Sequence, residues 1–230
     1  VVVAGHSLGE YSALVAAGAL SFRDAVPLVR FRAKSMQDAV PPGEGAMAAV
    51  LGADDEAVAQ ACRDASQGAE VVEPVNFNAP GQLVIAGSRA AVERAMVAAK
   101  ANGARRAVLL PVSAPFHSSL MNAVAEKLAE RLASVEFRRP SVPVLHNVDV
   151  QEHVAPEAIR RVLAQHAASP VRWAQTIRAM KARGVTHIAE CGPGRVLTGL
   201  VERIDDSIAT LPLSSGSMIE QAKTSLEQPA

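Results

Sequence analysis

The stretch Val1-Val2-Val3-Ala4-Gly5-His6-Ser7-Leu8-Gly9 decides the fold, because it joins an apolar run directly to a serine framed by two glycines. Residues 10–17, which follow at once, predict a helix. Strand, G-x-S-x-G and helix in this order are typical of a nucleophile elbow, where the glycines permit a sharp turn. The start of a helix also favours negative charge, such as that of an acyl-transfer oxyanion. The motif therefore predicts that Ser7 is a nucleophile, and a tight turn with an incidental serine is the alternative.

A serine nucleophile needs a base, and one of the six histidines is well placed to be that base. His6 adjoins Ser7, but successive residues at a strand end point to opposite sides, so His6 is poorly placed to take the proton. His117 follows a predicted strand at residues 107–110 and precedes a predicted helix. Catalytic residues concentrate in such loops. From spacing alone, a structural histidine remains the alternative for His117.

Arg32 lies on the apolar face of a helix predicted for residues 21–40, which starts with a capping-box pattern. The apolar stripe of this helix consists of Ala25, Leu28, Val29 and Met36. A buried guanidinium is costly unless it is paired, and no acidic residue shares the stripe. A substrate carboxylate would pair with it through two parallel hydrogen bonds. The alternatives are an ion pair with a distant acid or a side chain that extends to solvent.

The order of predicted elements from residue 43 to residue 113 is β-α-β-β-α-β, which is ferredoxin-like. The remaining residues alternate helices and strands and predict a mostly parallel sheet with covering helices. The fold class is therefore α/β, with a hydrolase-like large subdomain (residues 1–42 and 114–230) and an inserted small subdomain (43–113). Ser7 and His117 should face the cleft between them. We expect a strand at residues 142–148 and a frayed tail at 221–230.

The composition indicates a globular enzyme and excludes several other classes. The 230 residues, 49% of them apolar, suffice for a sizeable core, but no apolar run approaches the ~20 residues of a membrane span. The 23 basic and 23 acidic residues balance, so there is no nucleic-acid signature. Cys62 and Cys191 lack metal-ligand spacing and fit a reducing cytoplasm. We expect both cysteines to be buried, no metal site, no membrane association and a cytoplasmic location.

Four blocks of the sequence resemble malonyl-CoA:acyl carrier protein transacylases and the related acyltransferase domains of polyketide synthases. The blocks are residues 5–12, 76–82, 111–121 and 192–194, in the order of the family. The resemblance implies that Ser7 carries the acyl group, that His117 is the base, and that Arg32 holds the malonyl carboxylate. It also implies that a backbone carbonyl, here that of His166, orients His117 in place of an acid. The family commonly has another side chain at position 166.

The resemblance further implies transfer of a malonyl group from malonyl-CoA to the phosphopantetheine thiol of acyl carrier protein, in fatty acid or polyketide biosynthesis. The Leu8 N–H would donate to the oxyanion. His6, Asn76 and Phe116 are expected at the substrate, where Phe116 would crowd an α-methyl group. Core packing is the alternative for Phe116, and turn chemistry is the alternative for the segment around Asn76. We expect a monomer that needs no cofactor besides its two substrates.

The sequence departs from the family at its beginning. Relatives begin with a further segment whose Gly-Gln-Gly-Ser-Gln loop supplies a second oxyanion N–H, and no such loop occurs in residues 1–230. We therefore expect a fragment with reduced activity. Two other functions remain open. One is a serine thioesterase or esterase, in which an acid normally lies between serine and histidine in chain order. The other is an inactive fragment that binds acyl carrier protein.

Overall fold

The computed structural model of this chain describes residues 1–112 and 114–227. Within this part the chain forms two compact units, unit 1 from Val1 to Thr176 and unit 2 from Ile177 onward. In chain order, unit 1 contains β1 (Val3–Ala4), α1 (Gly9–Ala16), α2 (Phe22–Gln37), β2 (Gly45–Leu51), α3 (Asp55–Ala65), β3 (Val72–Ala79), β4 (Gln82–Ser88), α4 (Arg89–Ala101), β5 (Arg106–Leu109), a 3₁₀ turn (Ser119–Met121), α5 (Asn122–Ala133), β6 (Val144–Leu145), α6 (Pro156–His166) and the first turn of α7 (Trp173–Ala182). Unit 2 continues with β7 (His187–Glu190), α8 (Val196–Ile204), β8 (Ala209–Pro212) and α9 (Gly216–Glu227).

The predicted strand, serine turn and helix are present at the start of unit 1. Strand β1 pairs in parallel with β6, with Val3 opposite Val144. Only glycine fits at position 5, because a Cβ there would lie 1.9 Å from the carbonyl carbon of Gly9 at the start of α1. Ser7 itself has a φ of 51°, in the left-handed region that side chains rarely adopt. The elbow therefore presents its serine from a strained turn between strand and helix.

The inserted segment forms the predicted ferredoxin-like arrangement. Its four strands make an antiparallel sheet in the order β3-β4-β2-β5. Helices α3 and α4 pack on one face of this sheet, and Cys62 of α3 is 2% exposed there, as expected. The other face carries a smaller apolar cluster of Met47, Val75, Val84 and Ala86, against which Phe116 packs. This second face borders the elbow.

A second core surrounds the elbow and is built from helices α1, α2, α5 and α6. Its largest fully buried side chains are Tyr11, Leu14, Leu28, Met121, Leu128, Leu132, Ile159 and Leu163. The Ser21 hydroxyl caps α2 by accepting the Asp24 N–H at 3.1 Å, so the helix begins at the predicted cap. Helix α2 ends at Gln37 rather than at the predicted residue 40, because a proline at 41 disfavours helical geometry in the residue before it.

Unit 2 is a β-α-β unit followed by a helix. Strands β7 and β8 are parallel, with α8 between them in sequence. Residues 192–194 lie in the turn between β7 and α8, as predicted, with Gly192 and Gly194 at φ values of 145° and 89°. The Glu190 carboxylate accepts the N–H groups of Leu197 and Thr198, at 3.1 and 2.7 Å, and so satisfies the first turn of α8.

Four sequence-based expectations need correction. The strand predicted at residues 142–148 is only Val144–Leu145, because the polar groups of the next two residues turn away to other partners. Asn76 lies within β3 rather than in a turn, and the turn is confined to residues 80–81. Cys191 is exposed, and so are the five residues that follow it in unit 2, so nothing in this stretch of the chain covers the thiol. The tail is helical to Glu227, since Ala222 is buried and Ser215 caps Met218. Residues 228–230 lie outside the described part.

The α/β fold class, with parallel strand pairs, covering helices and the inserted β-α-β-β-α-β segment, is confirmed. The exact subdivision into residues 1–42 with 114–230, and 43–113, stays a prediction. In the described part of the chain, no helix combines the length and the apolar character needed to cross a membrane.

Candidate active site

Ser7 and His117, which are 110 residues apart in sequence, meet at the elbow. The Ser7 Oγ lies 2.7 Å from His117 Nε2, and His117 Nδ1 lies 2.9 Å from the backbone oxygen of His166. A carbonyl oxygen only accepts, so Nδ1 carries the imidazole proton and Nε2 is the acceptor for the Ser7 hydroxyl. The predicted nucleophile, base and orienting carbonyl therefore lie in one hydrogen-bonded line.

The surroundings keep the His117 imidazole neutral. His117 is 4% exposed. Burial, together with the positive charge of Arg32, lowers the pKa of His117 to about 3, although the hydrogen bond to the His166 carbonyl opposes the shift. At neutral pH the Nε2 lone pair is therefore free to accept a proton.

Arg32 extends from α2 to the same oxygen. Its side chain is 6% exposed, and its Nη2 donates to Ser7 Oγ at 3.0 Å. The guanidinium carbon also lies 5.8 Å from the centre of the Tyr11 ring. Among the described residues, no carboxylate forms an ion pair with Arg32. The remaining N–H groups of this buried cation can therefore bind an anion.

The three groups open into a cavity of 330 Å³. Phe116 and Asn76 line it together with Ser7, Arg32, His117 and Met47. The Asn76 side-chain oxygen is buried and has no hydrogen-bond partner among the described residues. A larger, more open groove of 630 Å³ between α5 and α6 contains neither Ser7 nor His117.

The Leu8 N–H is available as an oxyanion donor. Leu8 precedes the first residue of α1, and within the described chain its N–H donates no hydrogen bond. The next two N–H groups are engaged, Gly9 N with His6 O at 2.9 Å and Glu10 N with Ser7 O at 3.1 Å. An oxyanion formed at Ser7 would thus find a free donor one residue away.

His6 bonds Asn78 rather than Ser7, and the expectation that it contacts the substrate stays a prediction. Its Nε2 bonds Asn78 Oδ1 at 2.8 Å, and its ring lies 5.5 Å from the Trp173 ring. His6 is not among the residues that line the cavity. It braces β3 against the elbow and leaves Ser7 to His117. Ser113, of the Ser-x-Pro-x-His segment, lies outside the described residues.

Two polar residues at the elbow were missed by the sequence analysis. Asn147 accepts the Ser7 backbone N–H through its Oδ1, at 2.8 Å. Glu10 is fully buried and bonds the Asn147 backbone N–H at 2.9 Å. The available signal was an acidic residue three positions after the nucleophile in an otherwise apolar helix. Among the described residues, no group of His, Cys, Asp and Glu side chains is arranged to hold a metal ion.

Comparison with known proteins agrees with this geometry. The model of the acyl transferase domain family matches residues 1–221. A malonyl CoA-acyl carrier protein transacylase of Escherichia coli strain K12 is 53% identical over 221 residues, which are 96% of this chain and 71% of the relative. A Bacillus subtilis strain 168 protein of the same name is 48% identical, over 98% of this chain and 71% of its own length.

Solved structures give the same result. The crystal structure of an acyl-carrier-protein S-malonyltransferase from Burkholderia pseudomallei superimposes with a TM-score of 0.95 at 52% identity, covering 97% of this chain and 72% of that protein. The chain therefore belongs to the acyl transferase domain family.

Proposed function

We propose that this chain transfers a malonyl group from malonyl-CoA to the phosphopantetheine thiol of holo-acyl carrier protein, through a malonyl ester of Ser7. The observation that carries the proposal is the convergence of two groups on one oxygen. Ser7 Oγ lies 2.7 Å from the neutral base His117 and 3.0 Å from the buried cation Arg32. A nucleophile, a base and a cation without a carboxylate partner suit an acyl group that ends in a carboxylate.

The named relatives support the same substrates. The similar proteins carry the name malonyl CoA-acyl carrier protein transacylase. One structural neighbour, at 48% identity and a TM-score of 0.95, is a type II polyketide synthase acyl carrier protein in complex with its malonyl-transacylase. An acyl carrier protein is therefore the acceptor that we propose for this chain, in fatty acid or polyketide synthesis.

The first half-reaction acylates Ser7. His117 Nε2 takes the hydroxyl proton as Ser7 Oγ attacks the thioester carbonyl, and the Leu8 N–H donates to the oxyanion that forms. The imidazolium then protonates the departing coenzyme A thiolate, which leaves the malonyl ester on Ser7. Arg32 binds the distal carboxylate, and the negative charge of that carboxylate offsets the positive charge that now lowers the pKa of His117.

The second half-reaction discharges the ester. The carrier thiol gives its proton to the neutral His117, attacks the ester carbonyl, and the proton returns to Ser7 Oγ as the acyl bond breaks. Because the imidazole is held by a backbone carbonyl, no carboxylate takes part in this proton transfer. This arrangement differs from the acid-containing triad of a serine thioesterase, in which the acid orients the histidine.

The remaining expectations belong to the same proposal. Ser7, Arg32 and His117 come from one chain, which supports a monomer as the working unit. We also propose a cytoplasmic protein that uses its two substrates without a further cofactor.

The test is intact-protein mass spectrometry after brief incubation with malonyl-CoA, with Ser7→Ala as the matched control. We expect a malonyl adduct on the parent chain only, and its loss on adding holo-acyl carrier protein. An adduct discharged equally fast by water alone would instead establish a hydrolase. A folded chain that forms no adduct would contradict the proposal and favour a fragment that only binds the carrier protein.

A further inference from the structure

The nucleophile has a backbone conformation that must be held in place. Ser7 has a φ of 51° and is not a glycine, so its turn is strained unless neighbouring groups stabilise it. The parallel pairing of β1 with β6 ends at Ala4 and Leu145, before the turn begins. Backbone pairing between these two strands therefore does not reach Ser7.

The side chain of Asn147 hydrogen-bonds the elbow backbone just beyond the last residue pair of β1 and β6. Its Nδ2 donates to the carbonyl oxygen of Gly5 at 2.8 Å, and its Oδ1 accepts the N–H of Ser7 at 2.8 Å. The two bonds fall on either side of His6, so the side-chain amide spans the elbow as a peptide group of a neighbouring strand would. Asn147 is fully buried, so both bonds are shielded from water.

Glu10 in turn fixes Asn147. The Glu10 carboxylate is fully buried, and both of its oxygens are used. Oε2 accepts the backbone N–H of Asn147 at 2.9 Å, and Oε1 lies 2.7 Å from His146 Nδ1. Oε2 also lies 3.5 Å from Nδ1 of His166, the residue whose carbonyl holds His117. His166 Nδ1 has no hydrogen-bond partner among the described residues, so the hydrogen bonds of Glu10 support the elbow on the Asn147 side.

We infer that Asn147 is a positioning residue that locks the Ser7 backbone in its reactive conformation, and that Glu10 acts on Ser7 through Asn147. By engaging the Ser7 N–H, Asn147 fixes the orientation of the turn, and the Leu8 N–H remains the free donor beside the nucleophile. The inference rests on the proposed function only in that Ser7 is the nucleophile.

The experiment measures the reactivity of Ser7 with a small phosphonofluoridate. In this reaction the Oγ–P bond forms, fluoride leaves and His117 takes the proton, so neither malonyl-CoA nor carrier protein is needed. Labelling rates are followed by intact-protein mass spectrometry at several probe concentrations. The dependence of the labelling rate on probe concentration gives two quantities, the limiting rate constant and the probe concentration at which the rate is half-maximal. The variants are Asn147→Ala, Asn147→Asp, Glu10→Gln and the double variant.

Asn147→Ala should lower the limiting rate constant about 100-fold, because a small misplacement of a reacting atom has effects of this size. The half-maximal concentration should not change, since the cavity is untouched. Asn147→Asp retains the acceptor for the Ser7 N–H, so its limiting rate constant should lie between those of the parent and Asn147→Ala. If Asn147→Ala fails to fold, Asn147→Asp is compared with the parent instead. Glu10→Gln should cost about tenfold, through one weakened bond. The double variant should react no slower than Asn147→Ala alone.

A stability-matched control separates positioning from folding. Leu128→Ala removes a fully buried side chain of α5 that does not line the cavity, so it lowers the melting temperature but should leave labelling unchanged. Two outcomes would overturn the inference while the proposed function stands. In the first, Asn147→Ala is labelled as fast as the parent. In the second, the fold-decrease in labelling rate of the double variant equals the product of the fold-decreases of the two single variants. A folded parent chain that is not labelled at Ser7 would overturn both.

Discussion

Replacing Arg32 by methionine should destroy selectivity for malonyl-CoA without harming the fold. Methionine is unbranched and adaptable, so it can fill the space of the arginine stem. A malonyl carboxylate bound by two charge-assisted hydrogen bonds gains about 1.5–3 kcal/mol from each. Losing both should lower kcat/KM for malonyl-CoA by about 10²–10⁴-fold, since 1.36 kcal/mol is a factor of ten.

The stability of the same variant gives an independent prediction. Arg32 is 6% exposed and forms no ion pair with a carboxylate among the described residues, so its desolvation is offset by the hydrogen bond to Ser7 Oγ, the Tyr11 ring and the more distant charge of Glu10. A buried cation with such partial compensation costs several kcal/mol, which these interactions largely offset. We expect the free energy of unfolding of Arg32→Met to rise by about 1 kcal/mol. An arginine in a structural ion pair would instead make the variant less stable by about 3–5 kcal/mol.

The assay combines denaturant unfolding with acylation of Ser7 by malonyl-CoA and acetyl-CoA, read by mass spectrometry. Acetyl-CoA has no distal carboxylate, so its rate should rise when the cation is removed and the malonyl-to-acetyl ratio should fall. Arg32→Lys is the control that keeps the charge but loses the planar pair of donors, and it should be intermediate. An unchanged malonyl-to-acetyl ratio, or a strongly destabilised variant, would refute the reasoning.

Three further predictions follow from the same contacts. Because the pKa of His117 is about 3 in the folded chain and 6.5 is the ordinary value, the unfolded chain binds the extra proton first, and stability should fall as pH drops below 6.5. At pH 5 this loss is about 2 kcal/mol relative to neutral pH, measured as the difference between the parent and His117→Gln in urea unfolding; equal pH slopes would contradict it. Gly5→Ala should abolish Ser7 acylation, because its Cβ would lie 1.9 Å from the Gly9 carbonyl carbon, and a Gly9→Ala control, with open space around that position, should keep activity if the clash alone is responsible. Phe116→Ser should raise the methylmalonyl-to-malonyl rate ratio about tenfold, as one methyl group in an apolar pocket permits, and a constant ratio in competition assays would leave Phe116 a packing residue.

The residues of the elbow were predictable because their local chemistry is restrictive. Glycine at position 5 leaves no room for a side chain, and the apolar stripe around Arg32 identifies the guanidinium as a buried group. The inserted segment was predictable for a similar reason, since its alternation of short strands and helices admits few arrangements. In each case the signal lies within about 20 neighbouring residues, where periodicity and turn chemistry operate.

The polar support of the elbow was not predictable from local pattern. Asn147 lies 140 residues from Ser7, and the run from Val142 to Val148 gives the pattern of a longer strand than the one that forms. Its polar side chain is satisfied only by tertiary partners, which a single sequence does not reveal. The exposed Cys191 was mispredicted for the opposite reason, because an apolar strand end does not show whether anything covers it.

The carbonyl of His166 that holds His117 is a group that every amino acid possesses. A point substitution at position 166 changes the side chain but leaves the acceptor for Nδ1 in the chain. Amino-acid substitutions at position 166 therefore do not remove the group that orients the base. In an enzyme whose histidine is oriented by one aspartate, a single substitution removes that group. The orientation of His117 is vulnerable instead to changes that move the main chain, such as insertion or deletion between α6 and the loop at Pro170. In a mutational scan, position 166 should tolerate any side chain that fits the buried space, while changes in the length of this loop should not be tolerated.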